Sequence, residues 1–196
     1  MPRTTLRRLN GLDDTPARLD RSTLVLIDYQ NTYTTGVMEL DGWQAALDAA
    51  ALLLARARRV GTKVVHVIND GGEGTPYGIR AVIGQIHPRV APVDGEPVVV
   101  KETPDAFAGT GLGGHIDATG HSDLVIAGFM THMCVASTAQ GAFLRGNRPT
   151  VVADASATRA LTVAGTELDA RQVHYGALAT VADLFGVVVP SQTDIA

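Results

Sequence analysis

The sequence predicts a three-layer α/β fold, in which a mostly parallel sheet of five to six strands carries helices on both faces. Short, nearly continuous runs of β-branched residues alternate with helical segments, which is typical of strands buried on both sides. The chain has 196 residues, of which 45% are hydrophobic, so it can bury both faces of such a sheet. We therefore expect a single domain over residues 1–196, with about the first 20 residues as an N-terminal arm.

Six apolar runs supply the predicted strands. The first run ends at a carboxylate, and the fourth is followed directly by a glycine. The remaining runs are short stretches of valine and isoleucine, as expected for the interior of a parallel sheet. In chain order the predicted strands are Thr23–Asp28, Lys63–Ile68, Val98–Val100, Leu124–Ala127, Thr150–Ala153 and Val187–Val189.

Three helices are predicted between these strands. The first is rich in alanine and leucine, carries its arginines late and ends before Gly61, a residue type that commonly ends helices. The second stops before Gly146. The predicted helices are Trp43–Arg59, Val135–Leu144 and Thr166–Phe185.

Composition narrows the class of protein. The net charge of −4 gives no basic surface for nucleic acid or for an anionic membrane. No apolar run approaches the roughly 18 residues of a membrane span, and no signal peptide is recognised. A single cysteine excludes an internal disulfide and a multi-cysteine zinc site. We expect a cytoplasmic protein that binds neither nucleic acid nor membrane.

Three reactive residues fall where predicted strands end. Asp28 closes the first strand, Lys101 follows the third, and Cys134 lies shortly after the fourth. Ligands of open parallel sheets bind at the carboxyl ends of strands, so we expect the three side chains to meet there. Taken singly, each has a structural alternative: a turn carboxylate, a solvated lysine and a small buried thiol.

The position of Cys134 predicts a reactive thiol. Thr131 is a plausible N-cap, which would put Cys134 in the first turn of a helix. The helix dipole and a nearby lysine would both lower the pKa of the thiol.

Three ordered blocks then carry a resemblance to a known family. They are DYQNTY over 28–33, Lys101 with DAF over 105–107 and TGL over 110–112, and GFMTHMCVASTAQGAFLRG over 128–146. With these blocks, the chain resembles the isochorismatase-like cysteine hydrolases, which include nicotinamidases, N-carbamoylsarcosine amidase and ureidoacrylate amidohydrolases. Strand order and length agree over nearly the whole chain.

The resemblance implies a catalytic triad of Asp28, Lys101 and Cys134. Cys134 would attack the carbonyl carbon, Asp28 would take and return the proton, and Lys101 would favour the ionised pair. The backbone N–H groups of Met130 and Cys134 would form the oxyanion hole. The family also implies a cis peptide bond between Phe129 and Met130.

Departures from the family pattern narrow the activity. Nicotinamidases carry a D-x-H metal motif after the second strand, but here residues 68–73 read INDGGE. We therefore predict no metal and no cofactor, because no phosphate-binding glycine motif follows the first strand either. Isochorismatases proper generally lack the cysteine, so Cys134 argues against vinyl-ether hydrolysis. Asp105 stands where the family usually has serine and adds a charge near the rim, but the sequence does not predict what that charge does.

The substrate pocket is predicted from residues beside the triad. A glycine-rich segment over residues 69–84 is a candidate lid, on which Arg80 would meet a substrate carboxylate; a plain surface loop is the alternative. Tyr33 and Phe107 could sandwich a flat substrate or serve only as core residues. The predicted pocket residues are Asn31, Tyr33, Phe107, Phe129, His132, Tyr77 and Arg80.

The sequence thus predicts a metal-independent cysteine hydrolase that cleaves a C–N bond (amide, carbamoyl or lactam) of a small molecule through a thioester. The alternatives are an isochorismatase-type vinyl-ether hydrolase and a catalytically silent module that binds a small molecule. Family habit predicts a homodimer or homotetramer.

Overall fold

A computed structural model describes residues 4–196 and shows a six-stranded, wholly parallel sheet. The strand order is β3-β2-β1-β4-β5-β8, and β6 and β7 form a separate antiparallel hairpin. The strands are β1 (Ser22–Ile27), β2 (Lys63–Asn69), β3 (Val98–Lys101), β4 (Asp123–Gly128), β5 (Arg148–Val152), β6 (Leu161–Val163), β7 (Thr166–Leu168) and β8 (Val187–Val189). The predicted fold class and all six predicted strands are confirmed.

The helices cover both faces of this sheet. They are α1 (Leu6–Leu9), α2 (Trp43–Val60), α3 (Leu112–Asp117), α4 (Ala136–Leu144) and α5 (Ala170–Thr180), with π-helical turns at Thr131–Val135 and Val181–Phe185. Alternate residues of β1 point to opposite cores: Leu24 and Leu26 pack with α2, whereas Val25 and Ile27 pack with α3, α4 and α5. Every residue of β1 is buried, which explains its unbroken apolar run.

One predicted element is wrong at its start. Thr166 begins β7 and not a helix, because Ala164 and Gly165 both adopt positive φ and turn the chain back on β6. The helix begins only at Ala170. Asp169 caps it, and Asp169 and Gln172 exchange the two hydrogen bonds of a capping box.

The predicted N-terminal arm packs against the end of the last helical segment. Arg7 is buried; its guanidinium donates to the carbonyl of Leu184 and pairs with Asp14. The backbone N–H of Leu6 donates to Asp183. The beginning of the predicted arm, residues 1–3, lies outside the described residues.

Candidate active site

The strand order creates a crevice at the carboxyl ends of β1 and β4. From β1 the chain runs outward to β2 and β3 and then returns to the other side with β4, so the crossovers on either side of this point lie on opposite faces of the sheet. Asp28 directly follows β1, and Cys134 lies in the π-helical turn after β4. Lys101 is the last residue of the edge strand β3 and reaches inward.

The structure brings the three predicted reactive side chains together. Lys101 Nζ lies 2.7 Å from Asp28 Oδ2 and 3.3 Å from Cys134 Sγ. The side chains of Asp28 and Lys101 are completely buried, and Cys134 is only 7% exposed. A buried ion pair in contact with a thiol is costly for stability alone, so its presence favours a chemical task.

Asp28 keeps acceptor capacity. Neither of its oxygens has hydrogen-bond geometry with any residue in the range 4–196, although Oδ2 is in ion-pair contact with Lys101. Burial raises the pKa of the carboxyl group, and the positive charge of Lys101 offsets only part of that rise. Asp28 is therefore a stronger base than a solvated aspartate.

The predicted low thiol pKa is wrong. Burial raises the pKa of Cys134 to about 12, the negative charge of Asp28 adds to the rise, and Lys101 opposes it. Burial alone would lower the pKa of Lys101, but the negative charge of Asp28 and the hydrogen bonds to Asp28 and Cys134 outweigh it and raise that pKa. These shifts favour an ammonium on Lys101 and a neutral thiol on Cys134 in the resting site.

The turn that carries the nucleophile is built differently from the prediction. The hydroxyl of Thr131 does not cap the helix but lies 2.9 Å from His174 Nδ1. The peptide bond between Phe129 and Met130 is cis, as the resemblance implies. Within residues 4–196, the N–H of Met130 has no hydrogen-bond partner, so it is available as a donor beside Cys134.

The aromatic residues near the triad form one cluster. Tyr33 and Phe129 are buried, with ring centroids 5.7 Å apart, and Tyr77 lies 5.9 Å from Tyr33. Burial raises the pKa of both tyrosines, and the negative charge of Asp28 raises it further. Phe129 also packs edge-on against Tyr29 and belongs to the core.

The predicted sandwich of Tyr33 and Phe107 is not observed. Tyr33 belongs to the core on the α2 face, whereas Phe107 packs against the core of the opposite face. The guanidinium of Arg145 lies 5.2 Å from the centre of the Phe107 ring and also pairs with Asp117. Phe107 is thus half-buried and packs beside the end of α4.

The remaining predicted pocket residues are divided. His132 Nδ1 hydrogen-bonds the hydroxyl of Thr158 beside the nucleophile turn. The Asn31 side chain donates to the carbonyl of Val82, at 2.7 Å, and so ties down the glycine-rich segment. Arg80 is exposed and lines a surface cavity within that segment.

One cation near the site was missed by sequence reasoning. Arg159 is half-buried, its Nε is fully buried, and no hydrogen-bond or ion-pair partner for it is found among residues 4–196. Burial lowers the pKa of His132, and the positive charge of Arg159 lowers it further; the same charge acts on Tyr77. The charge of Arg159 therefore acts on two side chains near the triad. Its loop position gave no sequence signal.

Two kinds of feature are absent from the described part of the chain. No group of three or more His, Cys, Asp or Glu side chains is arranged to hold a metal ion. In the same residues, no helix combines the length and the apolar character needed to cross a membrane.

Known proteins of similar sequence include hydrolases. The chain is 31% identical over 190 residues to the secreted isochorismatase effector Isc1 of Verticillium dahliae, covering 96% of this chain and 98% of that protein. It is 38% identical to a streptothricin hydrolase of Streptomyces noursei, covering 69% of this chain and 49% of that protein. It is 34% identical to the maleamate amidohydrolase of Pseudomonas putida, covering 66% of this chain and 68% of that protein.

A solved structure and a family model agree with this fold. A crystal structure of an isochorismatase from Pseudomonas putida KT2440 superposes with a TM-score of 0.95 at 37% identity, covering 99% of this chain and all of that one. The family model for the isochorismatase domain matches residues 22–193, which include the three side chains that meet at the crevice. The chain is therefore a hydrolase of the isochorismatase family.

Proposed function

We propose that this hydrolase cleaves the C–N bond of a small amide, carbamoyl compound or lactam, with Cys134 as nucleophile. One observation carries the proposal: the Cys134 thiol lies against a buried carboxylate–ammonium pair. Relatives whose names denote amidohydrolase activity support the same bond type.

The arrangement supplies every proton transfer of a two-step hydrolysis. Asp28 accepts the thiol proton as Cys134 Sγ bonds to the substrate carbonyl carbon, so the high thiol pKa is met by a base with free lone pairs. The carbonyl oxygen becomes an oxyanion, which the backbone N–H groups of Met130 and Cys134 receive.

The second half of the cycle returns the proton. When the C–N bond breaks, Asp28 gives its proton to the departing nitrogen. The acyl group stays on Cys134 as a thioester. Water then loses a proton to Asp28 and attacks the acyl carbon, the C–S bond breaks, and the thiolate takes that proton back. Lys101 stays protonated throughout, because its pKa is raised in the site.

Arg159 narrows the substrate class. A half-buried guanidinium without an anionic partner among the described residues is poorly compensated, and a carboxylate would provide a charge-assisted, bidentate partner. We therefore extend the proposal to amides that also carry an acidic group, as maleamate does for the Pseudomonas relative. Arg159 takes the role that sequence reasoning assigned to Arg80.

The decisive experiment measures ammonia or amine release from small amides, ureido acids and lactams in the presence of EDTA. We expect turnover by the wild type that is lost in Cys134→Ala. Turnover that persists in Cys134→Ala would refute the thiol mechanism and favour chemistry by Asp28 alone, as in vinyl-ether hydrolysis. A folded protein that turns over no member of the panel, and whose thiol resists alkylation until unfolding, would favour the silent binding module.

The role of Arg159 is tested on pairs of acidic and neutral amides. Arg159→Ala should raise KM for the acidic substrate by about 10- to 100-fold, the equivalent of one charge-assisted hydrogen-bonded pair, and leave the neutral substrate unaffected. Arg171→Ala, which removes an exposed arginine of α5, is the matched control. A selective loss in Arg80→Ala instead would return the role to Arg80.

A further inference from the structure

The Lys101 ammonium has a third partner that the triad does not include. Asn69 Oδ1 lies 3.3 Å from Lys101 Nζ, in addition to the contacts with Asp28 and Cys134. An ammonium has three N–H bonds, and three acceptor atoms lie within 3.3 Å of it. The position of Nζ is thus defined by three contacts, with the carboxylate, the sulfur and the amide oxygen.

Asn69 reaches this position through the sheet. It is the last residue of β2 and is paired in register with Lys101, the last residue of β3. A neutral amide is suited to the place, because a carboxylate would compete with a developing thiolate for the ammonium.

Gln30 holds Asn69 from the other side. Its Oε1 accepts from the backbone N–H of Asn69 at 3.0 Å, and its Nε2 donates to the Asn69 carbonyl at 2.9 Å. The same Nε2 donates to the carbonyl of Gly84 at 2.6 Å, at the end of the glycine-rich segment. Gln30 is completely buried, so these bonds are shielded from water.

We propose that Asn69 is a positioning residue of the reaction, whose amide oxygen holds the Lys101 ammonium beside Cys134, and that Gln30 fixes Asn69 for this task. The inference rests on the proposed function, in which the ammonium stabilises the thiolate that attacks the substrate. Asn69 touches neither Cys134 nor the substrate in this role and acts only through Lys101.

The test measures the rate of Cys134 alkylation by iodoacetamide, which needs no substrate and reports on one site because Cys134 is the only cysteine. Asn69→Ala should slow alkylation by about tenfold or more, as expected for the loss of one hydrogen bond to a charged group. Asn10→Ala, which removes an exposed asparagine far along the chain, should alkylate like the wild type.

A double-mutant cycle separates positioning from a general structural effect. In a Lys101→Met background, Asn69→Ala should cause no further slowing, because the ammonium through which it acts is gone. Equal slowing in both backgrounds, or wild-type alkylation in Asn69→Ala, overturns the proposal. If Asn69→Ala does not fold, Asn69→Leu fills the same space without an acceptor and is judged by the same two outcomes.

Turnover distinguishes this proposal from the proposed function. On a substrate of the wild type, Asn69→Ala should lower kcat and leave KM unchanged, since the amide does not contact the substrate. If the wild type turns over no amide, the proposed function fails, while the alkylation cycle still decides whether Asn69 positions Lys101.

Discussion

Replacing Lys101 with methionine should destabilise the protein in a strongly pH-dependent way. The ion pair is fully buried at 2.7 Å, where the attraction is about 6 kcal/mol at an effective dielectric constant of about 20. The variant does not lose this full attraction, because Asp28 can take up a proton and become neutral. Burial already raises the pKa of Asp28, which makes that protonation easier. Protonating an aspartate of unperturbed pKa of about 3.9 at neutral pH costs about 4 kcal/mol, which is the ceiling for the electrostatic effect.

The sign follows from linkage. Without Lys101 the folded-state pKa of Asp28 rises further above its unfolded value, so the variant loses stability relative to the wild type as pH increases. The largest electrostatic loss of stability expected for Lys101→Met is about 4 kcal/mol at neutral pH and about 1.5 kcal/mol near pH 5. Urea unfolding across this range, followed by intrinsic fluorescence, measures the difference.

Two controls make the reasoning refutable. Lys63→Met removes the other lysine, which is exposed at the start of β2, and should change stability by no more than about 0.5 kcal/mol at any pH. Asp28→Asn in the Lys101→Met background removes the titrating group and should abolish the added pH dependence. A Lys101→Met penalty that does not change with pH would mean that packing, and not the buried carboxylate, causes it.

Two further predictions concern stability. Gly141→Ala would bring the new Cβ to 2.5 Å from the Asp105 carboxylate and should lower the free energy of unfolding, measured in urea, by about 1–3 kcal/mol. Gly176→Ala, which has open space at its Cβ, is the control and should not destabilise the protein. Equal effects of the two substitutions would contradict the steric argument. Burial alone would raise the pKa of Glu96, but hydrogen bonds from Arg58 and from the buried histidine of β2 hold that pKa at about 2. The stability that these bonds add is therefore lost as pH falls from about 4.5 toward 2. Glu96→Gln should therefore be less stable at neutral pH and should lose less stability on acidification than the wild type; parallel acid profiles would contradict this.

The sequence predicted the sheet and the triad because both depend on strong local patterns. β1 and β4 each contain an unbroken apolar stretch, over residues 24–27 and 124–127, and the reactive residues lie at or after strand ends, where ligands of parallel sheets bind. The β6–β7 hairpin was missed because one of its turn residues is Ala164 at positive φ, a conformation that alanine does not signal.

The parts of the site that were missed depend on burial and on distant contacts. The thiol pKa was predicted in the wrong direction because helix position was visible in the sequence, whereas desolvation of Cys134 was not. Arg159 lies in an irregular loop, and its importance arises only from the absence of a partner among the described residues. Asn69 ends a strand like Lys101, so the same strand-end rule could have identified it.

The single cysteine is also a natural reporter of folding kinetics. Cys134 follows β4 directly and reaches its native surroundings when β4 has paired with β1, a pairing that joins segments far apart in the chain. Long-range parallel pairing is slow to form, so the moment at which the alkylation rate of the thiol changes from its unfolded value to its native value during refolding times the closure of the central crossover. The residue proposed to carry the chemistry would thus report, without any added label, when the two halves of the sheet first meet.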